Sequence, residues 1–243
     1  MKYSKYTILS FLFLLLLGIA NCNKSDCING EGSIVTQAIT LGDFDGINLS
    51  GNLNIVLEQG EDLQVFAEGQ QNIISYLSTG ISNGIWNVAL VNGCYANYNL
   101  TIHIIHPEIQ EIEISGSGNV LITSRLDSLT NLDLTISGSG NIQAEDSLMV
   151  GDQLNTEISG SGNIWLIGQC YKQNINISGS GNYNAYSFLS DEAYVSIPGS
   201  GNAQVNVSSI LDVNISGSGN VYYIGNPDIS STISGSGILI DAN

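Results

Sequence analysis

The sequence predicts an all-β chain wound into a right-handed parallel β-helix, a β-solenoid whose N-terminal coils are irregular. Three observations carry this. The hexapeptide Ile-Ser-Gly-Ser-Gly-Asn recurs unchanged from Ile114, Ile136, Ile158, Ile177 and Ile215, with near-copies from Ile197 and Ile233. The starts lie 22, 22, 19, 20, 18 and 18 residues apart, which suits one coil of a β-helix and not the roughly 33 to 47 residues of helical repeats. Around each copy, apolar and polar residues alternate with a period of two, the pattern of a strand with one face inward. The hand follows from the right-handed crossovers that join parallel strands.

At the N-terminus, Lys2 and Lys5 precede the apolar block Phe11 to Leu17 and then Ile19-Ala20-Asn21-Cys22. This order reads as a secretion signal over residues 1–21, shorter than the ~20 apolar residues of a membrane span. Cys22 stands where bacterial lipoproteins carry their diacylated cysteine, so a lipid anchor at Cys22 is expected, with residues 22–27 as a short tether. The expected location is the outer membrane or cell surface; without the anchor, the protein would be secreted or periplasmic.

All 22 acidic residues follow the signal, against only Lys24, Arg125 and Lys172. No Lys/Arg cluster exists to hold phosphates, so no nucleic-acid partner is expected. An oxidising compartment permits one disulfide among Cys27, Cys94 and Cys170. The Cys27–Cys94 pair is favoured, because Cys27 opens the mature fold and needs pinning while Cys170 sits within the regular coils. Closing that loop is worth ~4 kcal/mol on chain-entropy grounds. Zinc is not expected, since there is no Cys-x-x-Cys or Cys/His cluster.

Residues 28–110 lack the hexapeptide but keep strand-and-turn texture, as in Asn52-Leu-Asn-Ile-Val-Leu-Glu-Gln-Gly60 and Gly84-Ile-Trp-Asn-Val-Ala-Leu-Val91. No Pro/Ser-rich linker intervenes. Residues 28–243 therefore read as one domain, with irregular coils over 28–110 and regular ones over 111–243. Each regular coil has room for about three short strands.

Within the regular coils, the residue before each motif's Ile is always polar, and the one before that is apolar in five of seven copies. The Ile therefore points into the core, and the strand resumes after the motif at Val120, Ile142, Ile164, Tyr183, Ala203, Val221 and Leu239. Gly-Ser-Gly supplies 14 of the 28 glycines, a density that demands either positive φ or close stacking of successive coils. Pro198 replaces the first Ser of one copy, which places that position beyond the strand's hydrogen-bond ladder. The Asn of each copy, and the second Ser, would stack about 4.8 Å above their equivalents, allowing ladders along the axis.

The order of Gly30-Glu-Gly32, Phe44-Asp-Gly-Ile47, Gln59-Gly60, Asn83-Gly84, Leu100-Thr-Ile-His-Ile-Ile-His-Pro107 and the Ser-Gly-Ser-Gly-Asn copies resembles the head GIN domain family of autotransporter-adhesin-type exported bacterial proteins. The likeness runs from Gly30 to the C-terminus. It implies a β-helical, surface-associated lipoprotein or secreted protein with a role in adhesion, and it carries over no catalytic residues.

The chemistry-bearing candidates are few. The glycine motifs lack the third Gly of a dinucleotide fold and the Lys of a P-loop, and they precede strands where both need helices. Calcium-binding nonapeptide repeats need Asp where Asn stands here. His103 and His106 are three apart on an apparent strand, face opposite sides and cannot share a metal; edge or surface positions are expected for both. Three residues before each motif stand Glu111, Asp133, Asn155, Asn174, Tyr194, Asp212 and Ser230. Glu111, Asp133 and nearby Glu113 form a weak Ca²⁺ candidate against a solvated acidic face, and otherwise neither metal nor cofactor is expected. Two residues past each motif's Asn, Leu121, Trp165 and Tyr222 share a polar-facing column with Asn and Gln, a candidate ligand face for glycan or protein. The function expected is a non-catalytic binding, adhesion or structural module of the cell envelope. The alternative is a carbohydrate-active β-helix enzyme of the polysaccharide lyase or hydrolase type, but such catalysis uses long groove-forming loops and clustered carboxylates, whereas these coils differ by at most four residues.

Overall fold

The computed structural model describes residues 27–91 and 93–243, which form a parallel β-solenoid with one short helix, Gln71–Ile74. Cys22 and the leader lie outside the described residues. Among the described residues no helix is long and apolar enough to cross a membrane.

Successive motifs stack in register. Ile114, Ile136, Ile158 and Ile177 are neighbours across adjacent strands, as are Ile197, Ile215 and Ile233. From Ile114 to Ile215 these isoleucines have no exposed surface, and the residues that resume the strand, Val120 through Val221, are at most 1 % exposed. Two apolar columns thus fill the interior on either side of the Gly-Ser-Gly corner. The later coils do not break into three short strands. Asn163–Ile177, Asn182–Ile197 and Asn202–Ile215 each run from one motif to the next, and their bends are absorbed as register shifts such as that between Trp165 and Ile167.

The corner glycines are selected by close approach. None of them has a positive φ. A Cβ on Gly160 would lie 1.8 Å from the Gly138 carbonyl oxygen, and one on Gly162 1.8 Å from that of Gly140. The Asn ladder is continuous: Asn141 Nδ2 donates to Asn119 Oδ1 at 2.9 Å, and the same link runs through Asn163, Asn182, Asn202 and Asn220. The second Ser takes part through its backbone, Ser139 N–H donating to the Gly116 carbonyl at 2.9 Å. Pro198 corrects the expectation drawn from it. At that position Ser137, Ser159, Ser178 and Ser216 do donate to the coil before, so Pro198 forfeits a ladder bond. It is tolerated because the next N–H, from Gly199, still reaches the Ile177 carbonyl at 3.1 Å.

The N-terminal part is not a run of successive coils. Gly46–Leu49 and Asn54–Gln59 stack on Glu111–Ile114 and Asn119–Ile122 on one side, and on Ile85–Val88 and Leu100–His106 on the other. The chain leaves this coil, builds the end of the stack, and crosses back at Glu111. Leu49-Ser-Gly-Asn-Leu-Asn54 therefore holds the motif's place, and Asn54 Oδ1 begins the Asn ladder by accepting from Asn119 at 3.1 Å. The end itself is closed by antiparallel pairing: Gln64–Gln70 covers Leu100–His106 and in turn pairs with Ile34–Ala38, while Ile81–Ser82 pairs with Ile85–Val88. Cys27 and Cys94 are disulfide-bonded across 67 residues, beside the parallel pairing of Ile28–Asn29 with Tyr95–Ala96.

Candidate functional site

A depression of about 620 Å³ lies on the sheet that leads into the corner. Its floor is made by outward-facing residues of six stacked strands, because period-two alternation sends every second side chain away from the core. One column is Glu111, Asp133, Asn155, Asn174, Tyr194 and Asp212, each paired by register with the next. The column beside it, one position before the motif's Ile, carries Thr135, Glu157, Asn176, Ser196 and Asn214. At about 4.8 Å per strand, six strands give a groove roughly 24 Å long.

Its electrostatics are one-sided. Glu111, Asp133, Glu157 and Asp212 line it, and among the described residues no Lys or Arg does. Partial burial, then the charges of Asp133, Glu113 and Asp45, raise the Glu111 carboxyl above the usual range. Toward the centre the charges give way to amides: Asn155 Nδ2 donates to Asp133 Oδ1 at 2.6 Å, and Asn174 Nδ2 to Asn155 Oδ1 at 2.9 Å. One strand before the far end, Lys172 Nζ sits 4.6 Å from the centre of the Tyr194 ring, and the Tyr194 hydroxyl donates to Glu192 at 3.1 Å. The groove is thus a row of hydrogen-bonding groups at strand spacing, interrupted by the Tyr194 ring one strand before Asp212.

The candidates named from sequence fall in different places. Leu121, Trp165 and Tyr222 do share a column on the other face, but Gln143 separates Leu121 from Trp165, and Asn184 and Gln204 separate Trp165 from Tyr222. They form no contiguous aromatic patch, and Trp165 stands alone at 40 % exposure. Among the described residues no three His, Cys, Asp or Glu side chains are placed to hold a metal ion. In the calcium candidate, Glu113 instead accepts from Asn48 Nδ2 at 2.8 Å and Asp133 from Asn155.

The histidines differ from each other. His103 is 3.2 Å from Glu68 at the surface, but His106 is buried, contrary to expectation. It accepts the Glu108 N–H on Nδ1 at 3.0 Å and lies 2.7 Å from the Phe44 carbonyl through Nε2, bridging two segments. Cys170 is free and buried, and burial pushes its thiol up to about 12, which removes it as a nucleophile. Near it in the interior, the buried Tyr183 hydroxyl donates to Gln173 Oε1 at 2.6 Å.

The sequence columns contained the groove. What they lacked was the sign of the surface's curvature, which decides which of two polar columns forms a floor. Lys172 and its place over Tyr194 went unread, because they are 22 residues apart and meet only through stacking.

No curated protein matches the chain. Among solved structures, a "putative adhesin" from Bacteroides fragilis is similar with 23 % identity and a TM-score of 0.78, covering 87 % of this chain and 98 % of that one. A "putative adhesin" from Parabacteroides merdae has 22 % identity and a TM-score of 0.69, covering 89 % and 99 %. A "putative lipid binding protein" from Parabacteroides distasonis has 26 % identity and a TM-score of 0.72, covering 89 % and 100 %. Residues 43–227, from the first stacked coil to the turn before the last, match the family model described as "Putative auto-transporter adhesin, head GIN domain". With that match spanning most of the stack, the chain belongs to the head GIN domain family.

Proposed function

We propose that this protein is a non-catalytic binding module of the cell envelope, tethered through Cys22, and that the groove over Glu111 to Asp212 receives an extended surface glycan. The groove's lining carries the reading. Amides, hydroxyls and carboxylates repeat along one axis and include one Tyr ring, which suits the hydroxyl-rich edges and apolar faces of sugar rings. The four carboxylates of the lining disfavour anionic polysaccharides and favour neutral or amino-bearing ones. An acyl chain, the ligand class suggested by the lipid-binding name of the Parabacteroides distasonis structure, would leave the groove's carboxylates and amides without polar partners. For an enzyme, the carboxylates are poorly arranged: they stand on one sheet in stacked columns, whereas glycoside cleavage sets two across the scissile bond.

A glycan array followed by calorimetry tests this. Tyr194→Ala and Asn174→Ala should each weaken binding about tenfold, about 1.4 kcal/mol, with Trp165→Ala unchanged. Loss with Trp165→Ala alone would move the site to the other face, and release of shortened sugar products would replace binding with catalysis.

A further inference from the structure

The corner of every interior coil has a single polarity. Ser137 and Gly138 donate to the Ile114 carbonyl at 3.0 and 3.3 Å, Ser139 and Gly140 to the Gly116 carbonyl at 2.9 and 3.2 Å, and Asn141 to the Gly118 carbonyl at 3.3 Å. Ordinary strands alternate their peptide groups and nearly cancel their dipoles. Here consecutive N–H groups all point toward the N-terminal end of the stack, and the carbonyls of the motif's first, third and fifth residues point toward the C-terminal end. At the last corner, Ser234 and Gly235 donate to Ile215, and Ser236 and Gly237 to Gly217. The equivalent carbonyls of Ile233, Gly235 and Gly237 are therefore turned outward, with the donors of that corner already used.

The strands beside this corner are open too. Among the described residues, Asp228–Ile233 and Leu239–Asp241 pair on their inner side only. Ile229 and Ile233 are 44 % and 42 % exposed, where Leu211 and Ile215, one coil earlier, are wholly buried. Ile238, in the place of the motif's Asn, is 54 % exposed. Asn243 folds back on Gly225, its Nδ2 donating to the Gly225 carbonyl at 3.0 Å and its Oδ1 accepting the Gly225 N–H at 2.9 Å.

We infer that this last coil is a docking edge for a glycine-bearing extended segment of a partner polypeptide, added in parallel register as the next coil. Charge complementarity sets the occupant's chemistry: a corner that offers only carbonyl oxygens needs a partner that brings N–H donors. Close approach sets its sequence. A side chain at either corner glycine of a stacked coil meets carbonyl oxygen at about 2 Å, as at Gly235 and Gly237 themselves, 1.9 and 1.8 Å, so the segment must carry Gly-x-Gly there. A second copy does not meet this demand. Two such corners face to face set carbonyl against carbonyl, and the opposite end of a copy presents the antiparallel strand Ile34–Ala38, which carries no Gly-x-Gly.

The probe is a labelled peptide copying Asp212–Ile224, the chain's own preceding coil, titrated into the full chain by fluorescence anisotropy. Saturable binding is expected, weakened at least tenfold by Gly217→Val with Gly219→Val in the peptide. Ile238→Lys and Ile233→Lys in the protein should weaken it similarly, with the thermal melt of the exposed Ile238→Lys variant unchanged. Absence of binding overturns the inference, as does equal binding of the valine peptide or indifference to both lysine variants. So does sedimentation that shows the chain dimerising through this coil, with the dimer lost in Ile238→Lys.

Discussion

At the N-terminal end, the coil of Ile85–Val88 and Leu100–His106 lies under antiparallel strands, and a disulfide pins the first described residues beside it. At the C-terminal end, Asp228–Ile233 has every residue exposed and, among the described residues, a neighbour on one side only. The regular coil explains the contrast. Each Gly-Ser-Gly corner is the complement of its own copy, donors on one side and acceptors on the other, so the repeat by itself specifies addition of another coil and never a stop. Closing an end takes a sequence that departs from the repeat, as residues 60–110 do. The C-terminal end keeps the repeat to its last corner, and only Ile238, which replaces Asn and ends the amide ladder, departs from it.

The same substitution made at two depths tests this directly. Gly160→Val and Gly235→Val would both bring a Cβ within 2 Å of the carbonyl oxygen in the coil before. Gly160 is clamped by coils on both sides, so the loss should be roughly 5 kcal/mol, measured by denaturant unfolding. At Gly235 the last coil can detach locally, and the loss should be about 1 kcal/mol, confined to residues 228–241 in hydrogen exchange. Equal losses would mean that the terminal coil is held as tightly as the interior.

The covered end has its own lever. Replacing Cys27 and Cys94 by Ser removes a cross-link over 67 residues and should cost about 4 kcal/mol on the chain-entropy model. The C-terminal coils should keep their exchange protection relative to the rest. Unfolding that spreads through residues 111–243 before the N-terminal strands loosen would break the assignment of the disulfide to the end closure.

How legible each part was follows from the same asymmetry. Where a coil stacks on its own likeness, position in the motif fixes burial, and Ile114 to Ile215, the Asn ladder and the in/out alternation could be read residue by residue. Around residues 46–110 the pairing partners lie up to 65 residues apart, as Leu49 with Ile114, and no periodicity announces that a coil is stacked from both sides. His106 shows the limit: alternation separated it from His103, but its burial comes from Phe44, which the crossover alone brings within reach. The groove was half legible, its column spelled out from Glu111 to Asp212 and its concavity invisible.

The smallest effect expected sits at the seam between the two parts. Glu111 pairs with Gly46 of the N-terminal coil on one side and with Asp133 of the regular coils on the other, and partial burial with Asp133, Glu113 and Asp45 raises its carboxyl. A carboxyl raised in the folded state opposes folding when ionised. That penalty is complete above the folded pKa and fades as pH falls through it, since the folded chain then binds the proton more readily than the unfolded one. Glu111→Gln should therefore stabilise the protein at pH 7 by about 0.5 kcal/mol, a figure kept small because solvent screens the site. The gain should shrink as the pH is lowered toward 4, which paired denaturant titrations can follow. A gain that grows on acidification would reverse the sign, and the seam would then be a junction that the Glu111 charge supports.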